Sequence, residues 1–176
     1  MNDTTNWFVV QTLGGKEFKT RDLVEKQKFK GIKTLLPKRR LLIRRKGEYK
    51  WELKPLFPGY FFINGNITPD IYKRIINLTG VVKILKDANT NKPKEVSKKD
   101  MKLIFSLMTD KENEVIPESK AIEINDKVQI VEGPLKGIEG RIVDVERRKK
   151  RVKVKLPFFN TYKVVYLSYE LIEKIE

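Results

Sequence analysis

Apolar and polar positions follow two different periods along this chain, and the change of period divides it. Trp7-Phe8-Val9-Val10-Gln11-Thr12 is β-branched and aromatic, which predicts a strand punctuated by Gly14-Gly15. From Lys16 to Phe29, Phe18, Leu23 and Val24 recur at near-helical spacing with charges between them. Leu35-Leu36-Pro37 opens an extended segment. Leu41, Leu42 and Ile43 then lie between Arg39-Arg40 and Arg44-Arg45. The turn Lys46-Gly47-Glu48 and a return through Tyr49, Trp51 and Leu53 predict a protruding basic hairpin. Phe61-Phe62-Ile63 reads as a buried strand, Asp70 to Leu78 as a helix behind the Pro69 start signal, and Val81 to Leu85 as another strand. Ser97 to Met108 reads as a helix capped by Ser97. The order β-α-β-β-α-β with a closing helix predicts a ferredoxin-like α+β domain over residues 1–108.

Thr109 to Lys120 breaks the pattern, with Asp110, Glu112, Glu114, Glu118 and Pro117 but no helical stripe; residues 109–121 read as a flexible linker. Residues 122–176 alternate with period two. Lys127 to Val131 is a strand, Gly133-Pro134-Leu135-Lys136-Gly137 a turn, and Gly140 to Val145 a second strand. Val152 to Leu156 and Tyr162 to Leu167 follow. Short strands separated by Gly/Pro turns predict an all-β barrel of the SH3-like type, and their wealth of Val, Ile and Tyr favours a permanent one.

The chain has no cysteine and no histidine, which removes disulfides, thiolate nucleophiles, imidazole chemistry and ordinary zinc sites. Its carboxylates are scattered or sit in the linker, and Glu17, Asp22 and Glu25 share a helix with Lys and Arg neighbours. No catalytic residue, cofactor or metal is expected. No apolar run approaches the length of a membrane span and the N-terminus is polar, so a cytoplasmic protein with no membrane contact is expected.

A net charge of +15 directs attention to polyanions. Residues 1–108 hold 24 Lys/Arg against 10 Asp/Glu, whereas residues 122–176 hold 12 against 9. The excess therefore lies in the first domain, yet the densest cluster, Arg147-Arg148-Lys149-Lys150-Arg151, lies in the second. Arg39, Arg40, Arg44, Arg45 and Lys46 form the other cluster. Either run alone also fits a solvated face that keeps an edge strand from aggregating. Close packing of like charges, relieved by a phosphate backbone, favours nucleic acid. Lys136 beside its turn and Lys153 extend the second cluster; arginine takes phosphate bidentately, and folded RNA is held largely through its backbone. Pro55 and Pro58 bracket Leu56-Phe57 and cannot supply ladder donors, so the segment bends at a sheet edge. Phe57 there fits either the core or an apolar docking patch.

Trp7 to Thr12, Pro55-Leu56-Phe57-Pro58-Gly59-Tyr60-Phe61-Phe62 and Thr79-Gly80-Val81 resemble the N-terminal (NGN) domain of the NusG transcription factors. Asp126 to Val145, with Glu132-Gly133-Pro134 and Gly140, resembles that family's KOW domain. The resemblance covers nearly the whole chain. It implies a monomeric elongation factor whose Phe57, Pro58 and Tyr60 meet the coiled coil of the RNA polymerase clamp, with Trp7 and Phe8 in the core. It also implies that Arg39, Arg40, Arg44, Arg45 and Lys46, with Lys16 and Lys19 on the first helix, lie near upstream or non-template DNA. The RfaH branch reads DNA with a Thr-Arg pair; Leu78-Thr79-Gly80 lacks the arginine, so that route to sequence-specific reading is not expected. Phe158-Phe159-Asn160-Thr161 replaces the Gly-basic segment that serves Rho or the ribosomal protein NusE. NusE stays a candidate partner, and the missing pair argues against Rho. With the basic hairpin tip, this is most similar to the LoaP branch. It implies processive antitermination, with Lys136, Arg147 to Arg151 and Lys153 on a nascent RNA hairpin. The alternatives are a general factor coupled to Rho or the ribosome, and a ribosome-associated RNA binder.

Overall fold

The computed structural model describes residues 4–175. In chain order its strands and helices are β1 (Trp7–Thr12), α1 (Glu17–Lys26), β2 (Lys33–Leu35), β3 (Lys38–Arg45), β4 (Glu48–Pro55), β5 (Tyr60–Asn64), α2 (Pro69–Ile76) and β6 (Val81–Ile84). They continue with α3 (Lys98–Leu107), β7 (Val115–Ile116), β8 (Ser119–Ile124), β9 (Lys127–Glu132), β10 (Ile142–Glu146), β11 (Arg151–Phe158) and β12 (Thr161–Ile175). The chain divides into two compact units: one from the chain up to Pro37 together with Phe57–Leu103, the other from Lys38–Leu56 and the chain from Ile104 onward.

In the first unit a four-stranded antiparallel sheet has the order β2-β5-β1-β6, the arrangement expected of a ferredoxin-like β-α-β-β-α-β chain. β1 is central and buried on both faces, which is why Trp7, Phe8, Val9 and Val10 run apolar without alternation. Phe8 and Val10 join Val24, Phe29, Leu36, Phe61, Ile63, Ile75 and Ile84 in one core cluster. The helices begin where capping chemistry allows. Ser97 Oγ accepts from Asp100 N–H, as expected, and Thr68 Oγ1 accepts from Ile71 N–H ahead of Pro69. α1 is shorter than its apolar spacing suggests, because Lys28 turns to φ 50°.

In the second unit a five-stranded sheet has the order β10-β11-β12-β8-β9. The 15-residue β12 makes the barrel possible: Thr161 to Ser168 pair antiparallel with β11, and Tyr169 to Ile175 then pair in parallel with β8. Val152, Val154, Leu156, Phe158, Val165, Leu167 and Tyr169 fill its interior with Ala121, Ile130 and Leu135. The β3–β4 hairpin belongs to this unit, in a three-stranded sheet of order β4-β3-β7.

Residues expected as a linker are therefore partly ordered into sheets. Lys38 and Arg39 of β3 register in parallel with Val115 and Ile116 of β7, and Ser119 opens β8. Ser119 is 1% exposed and its Oγ accepts from Leu135 N–H at 2.9 Å, pinning the Gly133–Gly137 turn. Gly133 has φ +99°, and a Cβ there would meet Ser119 Cα at 2.7 Å, so this turn requires glycine.

Candidate functional site

On the first unit the Pro58-Gly59 bend is fixed by α1. Glu17, buried at the start of that helix, accepts from Gly59 N–H at 2.6 Å and from Gly15 N–H at 3.2 Å, while Thr12 N–H donates to the Gly59 carbonyl. Two amide donors satisfy a carboxylate that would otherwise be costly to bury. The bend leaves Pro58 exposed and Tyr60 half-buried, but turns Phe57 inward: it is 1% exposed and meets Phe62 edge-on at 6.1 Å. Phe57 thus takes the core position. Leu13 and Phe18 on this unit are large apolar side chains left open, although the spacing of Phe18 places it on the packed stripe of its helix. Lys16 and Lys19 are exposed, as a phosphate contact requires.

In the hairpin the predicted cations separate by strand face. Residues paired across β3 and β4 share a face, so Arg40/Leu53, Leu42/Trp51 and Arg44/Tyr49 form one. Arg40 stands over the Trp51 ring at 5.3 Å and also pairs with Glu118 at 3.2 Å; Arg44 stands over Tyr49 at 5.8 Å. On the opposite face Arg39 is buried, with Nη1 donating to the Tyr166 carbonyl at 2.7 Å and Nε lacking a partner among the described residues. Burial, reinforced by the like charge of Arg151, pushes its pKa down to about 10. Arg39 therefore remains a cation at neutral pH but is withdrawn from any phosphate, unlike the exposed role expected for it. Arg45 and Lys54 share Glu52, whose pKa is lowered first by the Lys54 bond and then by Arg45. Lys46 and Gly47 form the tip with φ 49° and 89°, the two left-handed residues of a tight hairpin turn.

The β10–β11 connection is a 3₁₀ turn, Arg147–Lys149, followed by Lys150 at φ 46°. Its charges are mostly answered. Arg151 binds Glu146 at 2.8 Å and lies over Tyr166 at 4.0 Å. Lys149 reaches Glu146 at 3.4 Å and Arg147 reaches Asp126 at 3.8 Å. Lys153 binds Asp144 at 2.8 Å, an interaction that raises the lysine pKa and lowers that of the carboxylate. Burial would raise Glu146, but the Arg151 hydrogen bond and the surrounding cations outweigh it and hold it low. Among the described residues Arg148 and Lys150 have no carboxylate within ion-pair reach, and both are exposed. Lys136 is tied back to the Ile130 carbonyl at 3.4 Å and to Glu139 at 3.9 Å. Of the predicted RNA-binding cations, two are thus presented without a competing carboxylate.

Among the described residues no cluster of His, Cys, Asp or Glu could hold a metal ion, and no helix is long and apolar enough to cross a membrane.

A family profile described as transcription termination factor nusG matches residues 5–105. The chain belongs to the NusG family. It is 25% identical to the transcription termination/antitermination protein NusG of Bacillus subtilis over 177 residues, covering 97% of this chain and 98% of that one. Identity to NusG of Borreliella burgdorferi is 27% over 180 residues, covering 96% and 98%, and to NusG of Rickettsia typhi 25% over 181 residues, covering 98% and 92%. A structure described as domain interaction in Thermotoga maritima NusG superposes with a TM-score of 0.56 at 19% identity, covering 93% of both chains, a likeness of fold. The two-domain NusG architecture, α+β followed by a β-rich domain, holds for this chain. Phe158 is barrel core, while Phe159 and Asn160, at φ 44° and 63°, make the tight β11–β12 turn.

Several contributors are not evident from the sequence. Glu17 has the look of a surface charge, and its helix-start position beside Gly15 is the available signal. Ser119 lies in an apparent linker, with nothing local to mark it. Tyr49 and Trp51 are visible only as strand residues, although their alternation with Arg40 and Arg44 across the hairpin marks the shared face.

Proposed function

We propose that this NusG-family chain is a transcription termination/antitermination factor of the specialised type, in which the first domain docks on RNA polymerase and the barrel binds a structured nascent RNA. Arg148 and Lys150 carry this reading: a basic turn that leaves two cations unanswered at its tip suits an RNA backbone better than a protein groove. Polymerase docking falls to the exposed Pro58, Leu13 and Phe18 with the half-buried Tyr60, supported from beneath by Phe57. Its partner is the apolar face of a clamp coiled coil, and Glu17 holds the bend that presents Pro58 and Tyr60. Arg45 and Lys46 of the hairpin, and separately Lys16 and Lys19 of α1, offer phosphate contacts to upstream DNA that add salt-sensitive affinity without reading sequence.

Full-length protein is tested in two assays. Phe18→Glu should abolish co-elution with RNA polymerase and readthrough of a terminator, while binding to a stem-loop RNA persists. The Arg148→Gln/Lys150→Gln pair should lose RNA binding while polymerase co-elution persists. Equal RNA binding by that pair, with capture of Rho or NusE by the wild type, would replace this reading with a general coupling factor.

A further inference from the structure

We propose that the β3–β4 hairpin and the basic 3₁₀ turn form one site for a single-stranded stretch of RNA, with a base on the Tyr49 ring and phosphates on Arg44 and Arg148. The inference rests on the reading of the turn as an RNA-binding element and extends it to a second element of the same compact unit. The two elements enclose a cleft of about 430 Å³. Leu42, Ile43, Arg44 and Tyr49 line it from the hairpin, and Arg148, Lys149 and Arg151 from the turn and the start of β11. Four cations line it and no carboxylate does.

The cations are not equivalent. Lys149 and Arg151 are held by Glu146, at 3.4 and 2.8 Å. Arg44 lies beside the Tyr49 ring, and a ring leaves its charge uncancelled; Arg148 has no ion pair among the described residues. An aromatic side chain 52% exposed, in one cleft with two such arginines, is a stacking platform with phosphate anchors beside it. The cleft has the volume of a small-molecule site, so it admits a nucleotide or two and excludes a duplex. The same face continues along the hairpin through Trp51, 41% exposed, with Arg40 over its ring, which gives the next base a second platform. An acidic peptide would use the cations but has no need of ring faces repeated along a strand. Single-stranded nucleotides flanking an RNA stem on the turn use both.

The test uses full-length protein and a fluorescent stem-loop RNA with a single-stranded oligouridine flank bearing 4-thiouridine. Tyr49→Ala is expected to weaken binding at least about fivefold, the scale of one unstacked base, and Tyr49→Phe to restore it. Deleting the flank should weaken the wild type similarly and leave Tyr49→Ala unchanged. Photocross-links should fall within residues 48–53, and Tyr49→Ala should combine non-additively with Arg148→Gln. If Tyr49→Ala and Arg44→Gln bind as wild type while Arg148→Gln/Lys150→Gln binds weakly, the shared site is overturned and the turn keeps its RNA role alone. If that pair also binds as wild type, the RNA reading itself falls. Displacement of the probe by polyglutamate but not by oligouridylate would overturn the proposal in favour of an acidic peptide.

Discussion

In the β3–β4 hairpin Arg44 lies over the Tyr49 ring with no ion pair among the described residues, and Arg40 divides itself between the Trp51 ring and Glu118. In the β10–β11 turn Arg151 and Arg147 instead lie against carboxylates, Glu146 and Asp126, although Arg151 also covers Tyr166. A ring attracts a cation without cancelling its charge, while a carboxylate cancels it. Residues 38–55 hold eight Lys/Arg against two Asp/Glu, and residues 144–153 hold six against two. The turn has the denser run in sequence, yet among the described residues each element presents two exposed cations without an ion pair, Arg44 and Lys46 in the hairpin and Arg148 and Lys150 in the turn. Density along the chain is thus a poor guide to the field a nucleic acid meets; what lies across the strands decides it.

The sharpest way to break this comparison is to treat the turn's cations unequally. Arg151→Met removes a partly buried, charge-assisted hydrogen bond and should cost about 2 kcal/mol of stability, read as a lowered thermal midpoint. Arg148→Gln should stay within about 0.5 kcal/mol of wild type. Equal destabilisation would show that the turn is not divided into structural and presented charges. A smaller effect, in binding, comes from Glu52→Gln. It releases Arg45 and Lys54, so affinity for duplex DNA should rise by roughly two- to fivefold at low salt and converge with wild type at high salt.

Smaller still is Arg39→Met. The guanidinium is buried with one nitrogen unpaired, so an apolar side chain of similar length should leave stability within about 1 kcal/mol or raise it. Destabilisation by several kcal/mol in chemical denaturation would mean that the Tyr166 hydrogen bond holds the hairpin in place. The smallest effect is in pH. Asp144 is lowered by Lys153, so its contribution is complete above the unfolded-state pKa of about 4 and is lost as pH falls through the lower folded value. Asp144→Asn should lower the melting temperature slightly at neutral pH and converge with wild type at low pH, which flattens the acid limb of the melting profile.

Much of the fold is legible in the sequence because it is local. The apolar run of β1, the Ser97 cap, the Lys46-Gly47 turn and the Gly133-Pro134 turn each carry their cause within a few residues. What stays hidden is non-local. The parallel match of Val115 and Ile116 with Lys38 and Arg39 leaves no periodic mark in two residues, so an ordered segment reads as linker. Arg39 and Arg40 are neighbours in sequence, yet strand alternation sends one inward and the other out. The candidate site is legible as a set of cations and illegible as a pattern of partners, since Asp126, Asp144 and Glu146 act on the turn only after folding.

The most direct measurement is the salt dependence of stem-loop RNA binding by full-length wild type, Arg148→Gln/Lys150→Gln and Arg147→Gln/Lys149→Gln. Removing one phosphate-neutralising cation should reduce the magnitude of the log–log slope by about 0.7–0.9. The Arg148/Lys150 pair should therefore lower it by nearly twice that amount, and the carboxylate-held Arg147/Lys149 pair by clearly less. Equal slopes for all three proteins, or the larger decrease in the Arg147/Lys149 pair, would contradict the assignment of RNA binding to the two unanswered cations.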